Sequence, residues 1–197
     1  MSSQLSEVQR RGLNQRQTET VERLWDAGLA ELREVGHEAL TIRTVALRAG
    51  VSAATAYTYL SSKSHLFAEL FWRHLVQDET AGVPVGGSVI ARVQAVTRET
   101  TARIVTEPEL AAAVTPALLG NDPDVARLRL RIGAEFVRRF EAALAGPERG
   151  PVDPALLEAL VLAFSGALLN AGMGIFTYAE MADRLEPAVA VIVRGNA

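Results

Sequence analysis

Apolar residues recur at three- and four-residue spacing along most of the chain, and no credible strand pattern or internal repeat interrupts them. The pattern therefore predicts an all-α protein. Val21, Leu24, Trp25, Gly28, Leu32 and Val35 form one stripe, which predicts a first helix from about Thr18 or Thr20 to Val35, with Gly36 as its stop. Ile42, Val45 and Ala46 share a face of a short helix after Thr41, whose hydroxyl suits an N-cap. Gly50 supplies the positive φ that ends it, Val51 plugs the corner, and Ser52 caps a further short helix over residues 53–59. Ser61 and Ser62 are the next cap candidates. Leu66, Phe67, Leu70, Phe71 and Leu75 then predict a fourth helix from about Ser62 to Asp78.

Residues 80–87, TAGVPVGG, read as a linker. Ser88 caps a helix with Val89, Ile90, Val93, Val96, Thr100 and Ile104 on one side, and Pro108 opens an Ala-rich helix to about Leu119. Asn121-Asp122-Pro123 is a start signal, a capping side chain before a first-turn proline. It precedes a helix to about Leu144, with Val125, Leu128, Ile132, Phe136 and Phe140 inward. Asp153-Pro154 repeats that signal before the most apolar segment of the chain, roughly residues 154–175. Its polar residues are few, so it must be covered nearly all round. Gly166, Ala167, Gly172 and Gly174 would admit a close neighbour. Thr177 with Glu180 is a capping-box pair for a last helix to Arg194, interrupted or kinked at Pro187.

Composition narrows the class. A chain of 197 residues that is 49% hydrophobic can bury a sizeable core. It has no cysteine, which excludes a disulfide framework and thiolate metal sites and fits a reducing cytoplasm. No apolar run of transmembrane length and no signal-peptide centre is read, so a soluble cytoplasmic protein without membrane contact is expected. His37, His65 and His74 are scattered without metal-ligand spacing, and no phosphate loop or nucleophile elbow occurs. No catalytic residue, metal or cofactor is assigned.

The formal net charge is −3, yet from Thr41 to Leu66 the ionisable residues are Arg43, Arg48, Lys63 and His65, with no acid. A basic island whose short second helix is rich in hydroxyls suits phosphate contact, and a thin helix suits the DNA major groove. The pattern T-x-R-x-V-A-x-x-A-G-V-S-x-x-T-x-Y-x-Y-x-x-S-K-x-x-L at these positions resembles the DNA-binding segment of the tetracycline-repressor (TetR) family. Leu60 departs from it, standing where that family usually has Phe. The resemblance covers a few dozen residues; the rest of the chain agrees only in length and helical character.

The resemblance implies an N-terminal three-helix helix-turn-helix domain and a larger helical domain for ligand binding and dimerisation. The expected boundaries are a basic arm over 1–17, a DNA-binding domain over 18–61 and a regulatory domain over 62–197, with the fourth helix as link. For the arm two readings stay open, a solvated tail and a segment touching the DNA backbone or minor groove. The resemblance assigns Thr55, Tyr57, Tyr59 and Lys63 to DNA contact, and Ala53, Ala54 and Thr58 to the base-facing surface. Thr41, Arg43 and Ser52 complete the expected DNA site. The small side chains of Ala53 and Ala54 permit close approach and can touch a thymine methyl.

Leu162, Gly166, Leu169, Met173, Val189 and Ile192 are candidates for a homodimer interface, in which two helices from each chain would form a four-helix bundle. A two-fold dimer would present two reading helices to an inverted-repeat operator on double-stranded DNA. Val93, Thr97, Thr101, Phe136, Phe140 and Phe164 are candidate lining for a pocket that takes a small, mostly apolar effector. For each of them, ordinary core packing is the competing role. The expected function is a ligand-responsive transcriptional repressor. A helical small-molecule-binding protein or enzyme without operator binding, and a DNA-binding protein without an effector, are the alternatives.

Overall fold

The computed structural model describes residues 15–77, 86–147 and 150–195. Among these, helices account for all regular structure: α1 (Gln15–Ala39), α2 (Ile42–Arg48), α3 (Ala53–Tyr59), α4 (Lys63–Val76), α5 (Val89–Val105), α6 (Pro108–Leu119), α7 (Pro123–Ala145), α8 (Pro154–Gly172) and α9 (Met181–Arg194). Most of the expected arm and of the 80–87 linker lies outside the described residues.

The local signals read from the sequence are made as hydrogen bonds. Thr41 Oγ1 accepts from Thr44 N at 3.1 Å, and Thr44 Oγ1 accepts from Thr41 N at 3.2 Å, a reciprocal cap. Gly50, at φ 66°, closes α2. Val51 N donates to Ala46 O and Gly50 N to Leu47 O, the paired bonds that satisfy a helix C-terminus. Ser52, Ser62, Ser88, Asp122 and Asp153 each cap the helix that follows through the side chain. Gly36, with φ 75° and ψ 168°, breaks α1 near its C-terminal end, where the sequence places the stop.

Other boundaries shift. The first helix begins at Gln15, earlier than the apolar stripe suggests, and Val35 is 41% exposed rather than inward. The last helix begins at Met181. Thr177 and Glu180 do form their capping pair, with Glu180 N donating to Thr177 Oγ1 at 3.2 Å and Thr177 N to Glu180 Oε2 at 2.7 Å, but it closes a turn ahead of the helix.

The core runs through both halves of the chain. Leu24, Leu32, Val45, Ala56, Leu60 and Leu66 are almost fully buried in the first four helices and join Leu110, Phe140, Leu160, Phe164 and Met181 in one apolar cluster. Leu60 thus fills its core position without an aromatic ring. α4 leaves the helix-turn-helix and packs on α6 and α7, while α6 also touches α1.

Helix α8 corrects one expectation. It is 19 residues long and apolar enough, by length and composition alone, to cross a membrane, contrary to the sequence reading. The described residues of its own protomer cover only part of it. Leu160, Phe164, Ala167 and Ala171 form its buried stripe, while Leu162, Leu169 and Met173 stand 64%, 38% and 58% exposed. The buried stripe packs against α6, α7 and α9 as a core helix does.

Candidate nucleic-acid interface and regulatory cavity

The reading surface is built from α2, α3 and the turn between them. Ala56 and Leu60 face the core, so the residues displaced around the helix axis face out: Ala54, Tyr57 and Thr58 are exposed, Tyr57 by 51%. Ala53, Thr55 and Tyr59 sit at the flanks, partly buried, with Tyr59 packed on the apolar cluster. Ser52 Oγ accepts from Thr55 N at 3.0 Å and lies 2.8 Å from Thr55 Oγ1, so both hydroxyls are fixed at the N-terminus of α3. Thr58 Oγ1 donates to Ala54 O at 3.1 Å, which leaves its lone pairs for an incoming donor. Thr41 and Arg43 are exposed at the start of α2.

The charges are arranged differently from the linear reading. Arg48 is paired with Glu31, Nε to Oε2 at 2.7 Å, and with Glu34. Both acids lie on α1, outside the stretch in which no acid occurs. Their hydrogen bonds, Glu34's foremost, raise the Arg48 pKa above its ordinary value. Lys63 Nζ donates to His37 O at 2.8 Å and to Glu38 O at 3.0 Å. Its ammonium thereby satisfies carbonyls at the end of α1, and keeps its charge and a third N–H. His65 Nδ1 lies 3.2 Å from Ser61 N, within hydrogen-bond reach. Arg43 is thus the exposed cation of this stretch that no carboxylate engages among the described residues.

Polar contacts tie α1 and the start of α4 to the rest of the chain. Arg33 Nε donates to Glu107 Oε2 at 3.0 Å, and the Arg33 guanidinium holds the Glu107 carboxyl below the usual carboxylate range. His37 Nδ1 lies 3.9 Å from Glu109 Oε2. Ser62 Oγ donates to Asp122 Oδ2 at 2.5 Å.

A cavity of about 200 Å³ opens among α4, α5, α6, α7 and α8. Its lining includes Phe71, Ile104, Val114, Ile132, Phe136 and Leu168, with Arg129, Thr115, Ser165 and Tyr178 as the polar members. Of the six residues expected to line a pocket, Phe136 does so. Phe140 and Phe164 are core: the Phe164 ring meets Phe136 and Phe140 edge-on, at centroid distances of 5.1 and 5.5 Å. Val93 is fully buried and Thr97 Oγ1 donates to Val93 O at 2.9 Å within α5. Thr101 is equally buried and its hydroxyl has no hydrogen-bond partner among the described residues. The sequence reading missed Arg129 and Tyr178. Neither carries a local signal, because both enter the site through helix packing.

Of the dimer candidates, Leu162, Leu169 and Met173 are exposed, and a Cβ built on Gly166 meets nothing within 4 Å. Val189 instead faces its own protomer's core at 2% exposure, with Ile192 packed against the same cluster. The large apolar residue that α9 turns outward is Val191, 71% exposed. Gly172 serves a contact within the chain, since its Cβ would lie 2.4 Å from Thr115 Cγ2. Among the described residues no group of three or more His, Asp and Glu side chains is placed to hold a metal ion.

A capped helix-turn-helix with an outward reading face, docked on a larger helical body, defines a helix-turn-helix transcriptional regulator. Residues 24–70 match the family described as bacterial regulatory proteins, tetR family. The chain is 45% identical over 184 residues to an uncharacterised HTH-type transcriptional regulator of Mycobacterium bovis, covering 92% of this chain and 84% of the relative. It is 31% identical over 147 residues to the HTH-type transcriptional repressor KstR of Rhodococcus jostii, covering 74% and 68%. The fold resembles that of a TetR transcriptional regulator from Rhodococcus sp. RHA1, with a TM-score of 0.73 at 22% identity over 92% of this chain and 97% of the other. It also resembles FadR from Bacillus subtilis, solved in complex with stearoyl-CoA, with a TM-score of 0.63 at 13% identity over 86% and 97%. The chain belongs to the tetR family and is a helix-turn-helix transcriptional regulator.

Proposed function

We propose that this regulator represses transcription by binding an inverted-repeat operator as a homodimer, and that a small, mostly apolar effector releases it. The observation that carries the DNA reading is the outward face of α3, where Ala54, Tyr57 and Thr58 are exposed, together with the exposed Arg43, which no carboxylate engages among the described residues. At about 1.5 Å per residue, the seven residues of α3 fit across a major groove. In this reading Arg43 and the Tyr57 hydroxyl engage phosphates or groove edges, Ala53 and Ala54 bring the backbone close, and Thr58 accepts from a base. The unit spans residues 18–61, and residues 62–197 form the regulatory body.

The exposed apolar face of α8 supports the dimer. Leu162, Leu169 and Met173 there remain 64%, 38% and 58% exposed in the protomer, and pairing α8 and α9 across a two-fold axis buries them. The apolar cavity supports the effector, as do the stearoyl-CoA bound by the FadR neighbour and the repressor activity in the name of the Rhodococcus relative. A ligand wedged against Phe71 of α4 and Val114 of α6 bears on both helices that carry the reading head. Changing the separation of two heads removes their match to fixed half-sites. Such a protein acts in the cytoplasm, where the DNA is.

The test is titration of the protein into labelled duplex from the DNA around its own coding region, at two salt concentrations, with Arg43→Ala alongside. Tight, sequence-selective binding that weakens in the variant is expected. Binding equal to that of scrambled duplex and indifferent to the substitution would overturn the operator reading.

A further inference from the structure

A second space shares a lining residue with the cavity. A groove of about 430 Å³ runs between Val105, Pro108, Ala171, Phe176 and the turn Gly174 to Glu180. The residue that lines both spaces is Tyr178. Hydrogen bonds fix its hydroxyl. Tyr178 Oη donates to Ala111 O at 2.9 Å and lies 2.8 Å from Thr115 Oγ1, which then donates to it. Both partners are one turn apart on α6. Gly172 lets α8 come close enough to fix Thr115, since any Cβ there would overlap its side chain. The cavity alone is smaller than the ~300 Å³ at which ligand sites ordinarily begin, whereas the two compartments joined fall within the ordinary range.

The polar group at the cavity's outer edge is Arg129, an exposed residue. Its Nε and Nη2 donate to Leu118 O and Gly120 O, both at 2.6 Å, which fixes the guanidinium over the end of α6. No carboxylate neutralises it among the described residues. A fixed, unneutralised guanidinium at the mouth of an otherwise apolar space is complementary to an anion on an apolar tail.

We propose that the effector site takes a straight-chain carboxylic acid, with its carboxylate on Arg129 and its tail directed at Tyr178, and that the Tyr178 ring sets the tail length admitted. This rests on the effector reading above and specifies it. A short tail ends against the ring. A longer tail enters the groove only by displacing the ring and breaking its two hydrogen bonds to α6, so length discrimination is written into one side chain.

The test is calorimetric titration of octanoate, palmitate and methyl octanoate into the full-length protein and into Tyr178→Ala and Tyr178→Phe. The wild-type protein is expected to bind octanoate at least about tenfold more tightly than palmitate, because tail atoms that find no room cost on that scale. Tyr178→Ala, which joins the compartments, reverses the preference. Tyr178→Phe keeps the ring but removes its hydrogen bonds, and narrows the preference without abolishing octanoate binding, so the proposal stands or falls even where the alanine variant does not fold. Methyl octanoate binds at least about tenfold more weakly than octanoate, since it lacks the charge that Arg129 meets. A length preference unchanged in the variants overturns the role of Tyr178, and an ester that binds as well as the acid overturns the role of Arg129. Failure of both acids to bind any form overturns the site as a whole. Operator titration with the same preparations then shows whether the DNA-binding reading survives that failure.

Discussion

Ser62 Oγ donates to Asp122 Oδ2 at 2.5 Å, so the capping residue of α4 is bonded to the capping residue of α7 across 60 positions of sequence. Each keeps its own helix as well. Ser62 Oγ accepts from His65 N at 2.9 Å, and Asp122 Oδ1 accepts from Asp124 N at 2.8 Å. The helix that leaves the DNA-binding unit and a long helix of the regulatory body therefore begin at one shared polar node. Asp122→Ala is expected to cost about 1–2 kcal/mol, and Ser62→Ala about 1 kcal/mol. In urea denaturation the double variant should lose less than the sum of the two, since one bond is common to both.

Asp122 and Glu107 are two of the carboxylates that shape the acid limb of the stability profile, with Glu135 and Glu180 lowered as well. Asp122 is held below its ordinary range, first by the Ser62 hydroxyl and then by backbone amides, against the opposing effect of burial. Glu107 is held down first by Arg33. A carboxyl whose folded pKa lies below its unfolded value stabilises the fold fully above the unfolded value, and this is lost as pH falls through the folded one. The urea midpoint should therefore fall between about pH 5 and about pH 2. Asp122→Asn with Glu107→Gln should lower the midpoint near neutrality and flatten that fall.

Arg43 and Lys63 separate by their salt dependence. Arg43→Ala should reduce the slope of log affinity against log salt by about one, as loss of one phosphate contact does. Lys63→Met removes the donor to His37 O and Glu38 O. It should cost about 1–2 kcal/mol in denaturation and leave the salt slope unchanged once the folded fraction is accounted for. A slope that falls equally in both would return Lys63 to the phosphate.

The close approach of α8 to α6 depends on Gly172. Gly172→Ala places a methyl 2.4 Å from Thr115 Cγ2, and the overlap should cost about 1–3 kcal/mol in thermal denaturation.

For the exposed face of α8 the readout is assembly. Leu162→Glu with Met173→Glu puts charge on an apolar surface that the proposed dimer buries. Sedimentation should show a dimer for the parent and a dissociation constant raised at least about tenfold in the variant, with helicity unchanged.

The sequence by itself determined the helices and most of their ends, because those depend on local chemistry. Thr41, Ser52, Ser88, Asp122 and Asp153 are caps in the structure as in the sequence, and Gly36 and Gly50 break the helix where a positive φ is needed. The outward face of α3 was legible for the same reason, since burying Ala56 and Leu60 fixes which residues of so short a helix remain outside. Tertiary structure alone decided which polar groups are already engaged. Arg48 meets Glu31 and Glu34 from α1, so the basic stretch carries less free charge than its composition implies, and Lys63 donates to the end of that helix. It also decided that Phe140 and Phe164 are core while Arg129 and Tyr178 reach the cavity. A stripe of apolar residues is the same in sequence whether a neighbouring helix closes over it or stops a few ångströms short. The gap that makes a cavity belongs to the packing of several helices at once, and no single helix encodes it.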